Sequence, residues 1–400
     1  TYYVSKGGSD SNDGSFASPF LTIRQAVSVA NLVANILNPI VIKVGAGIFV
    51  ENNSGGAITI SADGISIIGS SSTGTIVVPT TLSNNLFNIT TSNVFLCGFT
   101  IDAGSAGSTA TGINIVAGFG MGAIQSLIFN RFGIGISING TGTIPQIAIA
   151  ANVASTNGTA ISINNARVFV ENSIVVGESL SNTLRSNIGF VVTGTNSLAT
   201  LSGNALRLLN TGIITDGGAN TRILSTSFDT TSTGVFCMGG SETSIVGSSF
   251  QVNDSSTVNI EAIDDVTHIN VTGCSFDGQI VATDNPQGTA VKVSSRASIS
   301  IGSCSIEDVA IGIQCGEIGD TISTSMRVTG VNFSNCLQDI VQNGSSKLTI
   351  MGGSFDDHNI TISDPTNFNV AAFDNFNSNL IVEKIIKSDY YSKKILQSKL

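Results

Sequence analysis

Acidic residues recur at one position of a short repeated segment. Ile223–Phe228, Ile245–Phe250, Val271–Phe276, Ile301–Ile306, Val328–Phe333 and Ile350–Phe355 each end on a large apolar residue, and the residues that follow are Asp229, Gln251, Asp277, Glu307, Ser334 and Asp356. If successive segments stack as neighbouring strands, about 4.8 Å apart, Asp277 and Glu307 become direct neighbours. Two carboxylates within about 5 to 10 Å can divide the work of glycoside hydrolysis or hold a hard cation such as calcium. Asp264-Asp265, with His268 close behind, offers a second grouping, because an imidazole beside a carboxylate can move a proton. The candidate catalytic residues are therefore Asp277, Glu307, Asp264, Asp265 and His268, and the candidate calcium ligands are Asp277 and Glu307. No cofactor besides calcium is suggested. Against both roles stands turn formation, since an Asp at a strand end bonds its own turn, and nothing in the pattern selects between them. His358, after Asp356-Asp357, lies about three or four coils from His268, so the two histidines belong to separate places and read as solvated turn residues.

The elements that must position these residues are written in the same repeat. Its period is about 25 residues, and a unit so short cannot bury its own apolar face, so neighbours must stack. Within the units apolar and polar residues alternate, as in Ala290–Ser294 and Ala160–Asn164, which places Ile and Val on one face of a strand. Turns fall at Asn139-Gly140, Asn157-Gly158, Asp216-Gly217, Asp277-Gly278 and Asn343-Gly344. Such dipeptides could instead close antiparallel hairpins, which is the main structural rival. A propeller would show longer, aromatic-bearing repeats. Cys274 and Cys304 occupy one repeat position, two before the terminal apolar residue, and should point inward on adjacent rungs as free thiols.

Composition agrees with strands and turns and removes several function classes. Charged residues make up 11% of the 400-residue chain, under half of the usual ~25%, and Gly numbers 44. Disorder would need high charge and few β-branched residues. A net charge of -10 argues against a nucleic-acid partner, whose phosphates need clustered Lys and Arg. The longest uncharged window, Ala103–Asn130, is broken by glycines and Asn114, so no membrane span is expected. With no Trp and four Tyr, an aromatic platform for sugars would have to rest on Phe or an exposed Tyr.

The first residues differ in kind. Tyr2-Tyr3-Val4 reads as a strand, Lys6–Gly14 as a polar loop, and Phe20, Ile23, Ala26, Val27, Ala30 and Val33 recur at helical spacing. Ser18 before Pro19 marks the expected helix start. Such a helix would cover the open end of a stacked coil. Three segments, Tyr3-Val-Ser-Lys-Gly-Gly-Ser-Asp-Ser-Asn-Asp-Gly14, Ser18-Pro-Phe-Leu-Thr-Ile-Arg-Gln-Ala26 and Ile42-Lys-Val-Gly-Ala-Gly-Ile-Phe-Val-Glu51, together resemble the N-terminal motif of the pectate-lyase-like β-helix superfamily.

The fold expected is thus all-β, a right-handed parallel β-helix (solenoid) with an N-terminal capping helix. It has about 12 coils after Gly45 if each uses about 25 residues. The expected organisation is a cap over 1–44, the β-helix over 45–379 and a C-terminal cap or docking segment over 380–400. The last segment carries Lys384, Lys387, Lys393, Lys394 and Lys399 against Glu383 and Asp389. The superfamily spans polysaccharide lyases and hydrolases, phage tailspikes, surface adhesins and large-DNA-virus proteins, so fold does not settle function. Likeness to a pectate lyase would imply clustered Asp ligands for calcium beside an Arg base, and the sequence shows no Arg beside an acidic pair in that arrangement. Likeness to a polygalacturonase would imply paired aspartates with a His-Gly and an Arg-Ile-Lys segment, and Asp264-Asp265 stands without either partner. The expectation is a non-catalytic structural or surface protein, on a virion or an extracellular cell surface. Its partners would be other copies of itself or a larger particle, with weak glycan binding. The alternative is a polysaccharide lyase or glycoside hydrolase acting in a groove along the β-helix. The discriminating feature is whether acids converge with a Lys, Arg or His in a groove on one face.

Overall fold

A computed structural model of the chain describes residues 1–104, 108–116, 121–140, 146–150, 153–177, 187–252, 255–278, 286–318, 324–355, 360–363 and 365–371. Asp356, Asp357, His358 and the segment 380–400 lie outside them. The fold is an all-β parallel solenoid of about 11 turns with one short helix near the N-terminus. Two compact units divide it, Thr1–Phe236 with Gly240–Ser244 and Cys237–Gly239 with Ile245–Leu400.

In the second unit each turn contributes three strands. Val258–Ala262, His268–Thr272 and Ser275–Gly278 are followed one turn later by Gln287–Val293, Ser298–Gly302 and Ser305–Glu307. Each pairs in parallel with its successor, Ile260 facing Val291, Ile269 facing Ile299 and Phe276 facing Ile306. Asp216-Gly217 and Asn343-Gly344 therefore join consecutive strands of one coil and close no hairpin. Asn157-Gly158, expected as a turn, instead lies inside strand Val153–Asn164, and Asn139-Gly140 and Asp277-Gly278 lead into residues outside those described. Period-two alternation turns the aliphatic set inward on all three sheets, which we number in coil order. The first sheet stacks Ile260, Val291, Ile313, Ile340 and Ile360. The third stacks Phe250, Phe276, Ile306, Phe333 and Phe355. Phe250 and Phe276 lie ring on ring at 4.9 Å and 9°, and Phe333 and Phe355 at 5.0 Å and 15°.

The glycine or serine inside the repeat makes the corner between the second and third sheets. Gly247, Gly273, Ser303, Gly330 and Gly352 have φ of 58°, 63°, 53°, 59° and 67°, the left-handed region that L side chains avoid. The corner amide still bonds the next rung, Gly273 N–H donating to Gly302 O at 3.1 Å and Ser303 N–H to Thr329 O at 2.9 Å. A Cβ on Gly273 would meet nothing within 4 Å, so Gly273→Ala carries only the backbone cost. Equilibrium unfolding is expected to show a loss of about 1 to 2 kcal/mol, and a smaller loss for Gly273→Asn. Unchanged stability in the Ala variant would mean that the corner is not held in this conformation. Gly312 is small for another reason: a Cβ there would lie 2.6 Å from Asp339 O and 2.8 Å from the Phe333 ring.

The first unit stacks Ile42, Ile67, Leu96, Ile124, Ile149, Val170, Leu201 and Ile223 on its second sheet, all buried. Its helix, Ile23–Val33, buries Ile23, Ala26, Val27 and Ala30, while Val33, expected on the same stripe, is 43% exposed. The helix does not start at Ser18-Pro19. Phe20 stays extended, its N–H bonded to Tyr3 O at 2.9 Å, and Asp10 takes the N–H groups of Leu21 and Thr22 at 3.0 and 2.9 Å. Thr22 is the N-cap, accepting from Gln25 N–H at 3.1 Å. From the helix, Asn31 reaches the strand Ile58–Ile60, donating to Thr59 O at 2.8 Å and accepting from Ser61 N–H at 3.0 Å. Its amide thus supplies the partner that an edge strand otherwise lacks.

Candidate functional site

The one-residue corner of the second unit shapes its surface. Because the chain turns on Gly247, Gly273, Ser303 and Gly330 and continues into small residues, no large side chain fills the angle between the second and third sheets. The result is a groove of about 410 Å³ lined by Ser249, Ser275, Ser305 and Asn332 over the corner backbone. These four side chains form one ladder, Ser249 facing Ser275, Ser275 facing Ser305 and Ser305 facing Asn332. Asn332 Oδ1 then accepts from Ser354 Oγ at 2.9 Å.

Two residues further along the same strands, about 6.5 to 7 Å away, runs the ladder Gln251, Asp277, Glu307, Ser334. The structure therefore sets Asp277 and Glu307 side by side, as the repeat implies. Both are exposed, and among the described residues neither carboxylate has a hydrogen-bond or ion-pair partner. Asp308, the residue after Glu307, sits at φ 55° and accepts from Asn335 Nδ2, one coil further on, at 2.6 Å.

Asp264, Asp265 and His268 lie elsewhere, at the corner between the first and second sheets. Asp264 is an exposed turn residue at φ 71°. Asp265 pairs with Arg296, one coil on, at 3.0 Å, with both side chains more than half exposed, so the pair contributes little to stability. His268 bonds Ser298 Oγ through Nδ1 at 2.6 Å rather than either aspartate. The sequence shows no Arg next to an acidic pair, because Arg296 reaches this one only through the coil.

A further charged cluster was not visible in the sequence. Lys292, outward on the first sheet, holds Glu261 at 3.0 Å and Glu317 at 2.9 Å. Burial opposes its charge, but hydrogen bonds to Glu317 and Glu261 outweigh that and hold the ammonium above its ordinary range. A lysine so held is a pin and a poor proton acceptor. Glu261 and Lys292 face each other in register, so knowing the rung alignment would have found them.

Beneath the groove Cys274 and Cys304 point inward on adjacent rungs, each 2% exposed and free. Cys274 N–H donates to Cys304 Sγ at 3.3 Å. Their mutual hydrogen bond pushes the Cys274 thiol up and pulls Cys304 down.

No protein-family profile and no curated protein matches the sequence. Solved structures do match. The tailspike protein of E. coli bacteriophage HK620, in complex with a pentasaccharide, superposes with a TM-score of 0.63 at 10% identity, covering 90% of this chain and 77% of that one. The catalytic domain of a GH87 alpha-1,3-glucanase in complex with nigerose gives 0.55 at 14% identity, over 88% and 66% of the two chains. The A-module of an Azotobacter vinelandii mannuronan C-5 epimerase gives 0.51 at 11% identity, over 88% and 94%. These are right-handed β-helix proteins, and the chain shares their parallel β-helix fold. At such identities the likeness is one of fold.

Proposed function

We propose that this chain is a β-helical surface protein, of a virion or a cell exterior, that binds glycan in the groove of its second unit without degrading it. The observation that carries the reading is the pair of polar ladders, Ser249 to Asn332 and Gln251 to Ser334. They repeat hydroxyl, amide and carboxylate groups at about 4.8 Å along a concave surface. A chain of sugars presents a matching series of hydroxyls, and many weak contacts add to useful affinity on a wall that needs no reordering. That solved neighbours of the same fold carry a pentasaccharide or nigerose supports the ligand class. Among the described residues no helix is long and apolar enough to cross a membrane. Other copies of the chain, or a larger particle, would be its protein partners.

The test fills the groove. Ser275→Tyr and Ser305→Tyr point outward and should leave the melting temperature unchanged, while affinity for an oligosaccharide that the native chain binds falls about tenfold or more. Undiminished binding in both variants would remove the groove from the mechanism.

The second reading, hydrolysis or lyase chemistry, rests on the adjacency of Asp277 and Glu307. Calcium at the pair belongs to it, and with roughly six to eight oxygens required, glycan or water would have to complete the shell. Among the described basic groups of this unit, Lys292 is engaged by Glu261 and Glu317, Arg296 by Asp265 and His268 by Ser298, while Arg327 donates to Met351 Sδ at 3.3 Å. The variant Asp277→Asn with Glu307→Gln is therefore expected to leave any polysaccharide-degrading activity at its starting level. A fall of about 10² to 10⁴, the scale of a lost general acid or base, would make the pair an active site.

A further inference from the structure

On the second sheet of the first unit an aromatic ring stands in the open. Strand Arg167–Glu171 turns Val168 and Val170 inward and Arg167, Phe169 and Glu171 outward, with Phe169 53% exposed. Its ladder neighbours are Ala148 on one side and Thr200 on the other, with Arg222 next after Thr200. Neither Ala nor Thr is long enough to cover a benzene ring, and Leu198, 38% exposed and facing Arg167, extends the apolar surface by one side chain. Among the described residues the side chains of Arg167, Glu171 and Arg222 have no hydrogen-bond or ion-pair partner.

The occupant follows from what this surface offers and lacks. One ring and one leucine are far below the ~800 Å² per partner of a stable protein interface. The charges balance, Arg167 and Arg222 against Glu171 and Glu242, the last bonded by Asn220 Nδ2 at 3.1 Å, so there is no positive field for a polyanion. What remains is an apolar plate with a donor on one side and an acceptor on the other, about 6.5 to 7 Å from the ring along the strand. A pyranose has that shape inverted, with an apolar C–H face and a rim of hydroxyls that both donate and accept.

We infer that Phe169 is a stacking platform for a neutral pyranose of an oligosaccharide, with Arg167 and Glu171 hydrogen-bonding its hydroxyls. The inference shares only its ligand class with the glycan-binding reading above and does not depend on the groove of the second unit. The ring supplies dispersion and desolvation at little entropic cost, since two torsions fix it. The guanidinium and the carboxylate fix orientation through paired hydrogen bonds.

The experiment titrates the full chain with linear oligomers of glucose, mannose, galactose and N-acetylglucosamine and follows the sugar C–H resonances, which a stacked ring moves upfield. One series is expected to bind with that shift. Phe169→Ala should abolish the shift and weaken binding about tenfold at an unchanged melting temperature, and Phe169→Trp should restore both. Ser275→Tyr should leave the shift in place, whatever it does to binding in the other unit. Three results would overturn the proposal: no upfield shift with any of the four series, binding indifferent to Phe169→Ala, or a Phe169→Ala effect on native mass alone, which would make the surface a contact between copies.

Discussion

Replacing Phe276 with Ala is expected to lower the unfolding free energy by about 3 to 5 kcal/mol. Phe276 is 1% exposed, stacks on Phe250 at 4.9 Å and is followed on the next rung by Ile306. Truncation removes the transfer energy of the ring and leaves a void that parallel strands, pinned on both sides by their ladders, cannot close. Phe250 loses its stacked partner as well, so the cost belongs to the column and should not add simply with Phe250→Ala. Ser275→Ala and Ser305→Ala, one residue away and facing out, should stay within about 0.5 kcal/mol. Denaturant titration of the three variants decides it. Comparable losses at inward and outward positions would mean that the inward face has been assigned backwards.

The contrast shows which parts of this molecule could be read from sequence. Stacking, parallel pairing and the inward set follow from local alternation and from a glycine that one corner requires, so the repeat containing Phe276 carries its own register. Asp277 and Glu307 were found the same way, because both sit at one fixed distance from an inward residue. The contacts that escaped depend on coil length. Ile149 faces Val170, but Val170 faces Leu201, so counting residues does not give the rung. Lys292 with Glu261, and Arg296 with Asp265, meet across such unequal loops. The helix start failed for a related reason: Ser18 and Pro19 have the right local chemistry, but Asp10 and Glu51, distant in sequence, hold the amides that decide where the first turn begins.

Glu51 is therefore expected to matter more than its place at a strand end suggests, with Glu51→Ala costing about 2 to 4 kcal/mol. Its carboxylate, 1% exposed, accepts from Ile23 N–H at 2.7 Å and Arg24 N–H at 3.2 Å. These are two of the donors that a helix start leaves unpaired, and the helix has no acid of its own in its first turn. Burial is the largest influence on this group and raises its pKa above the ordinary 4.5, against the opposing pull of the two amides and the Arg24 charge. The folded chain therefore holds the Glu51 proton more tightly than the unfolded chain does. The contribution of this group is fullest below its unfolded pKa and is lost as pH rises through the raised folded value. Asp13, lowered by hydrogen bonds from Ser15, works in the opposite direction and loses its contribution as pH falls. Glu51→Gln does not titrate, so the stability of the native chain relative to that variant should rise as pH is lowered from neutrality through the carboxylate range. Unfolding curves of both proteins across that range measure the difference directly. A relative stability that falls instead would show that the two helix amides hold Glu51 as an anion strongly enough to overcome its burial.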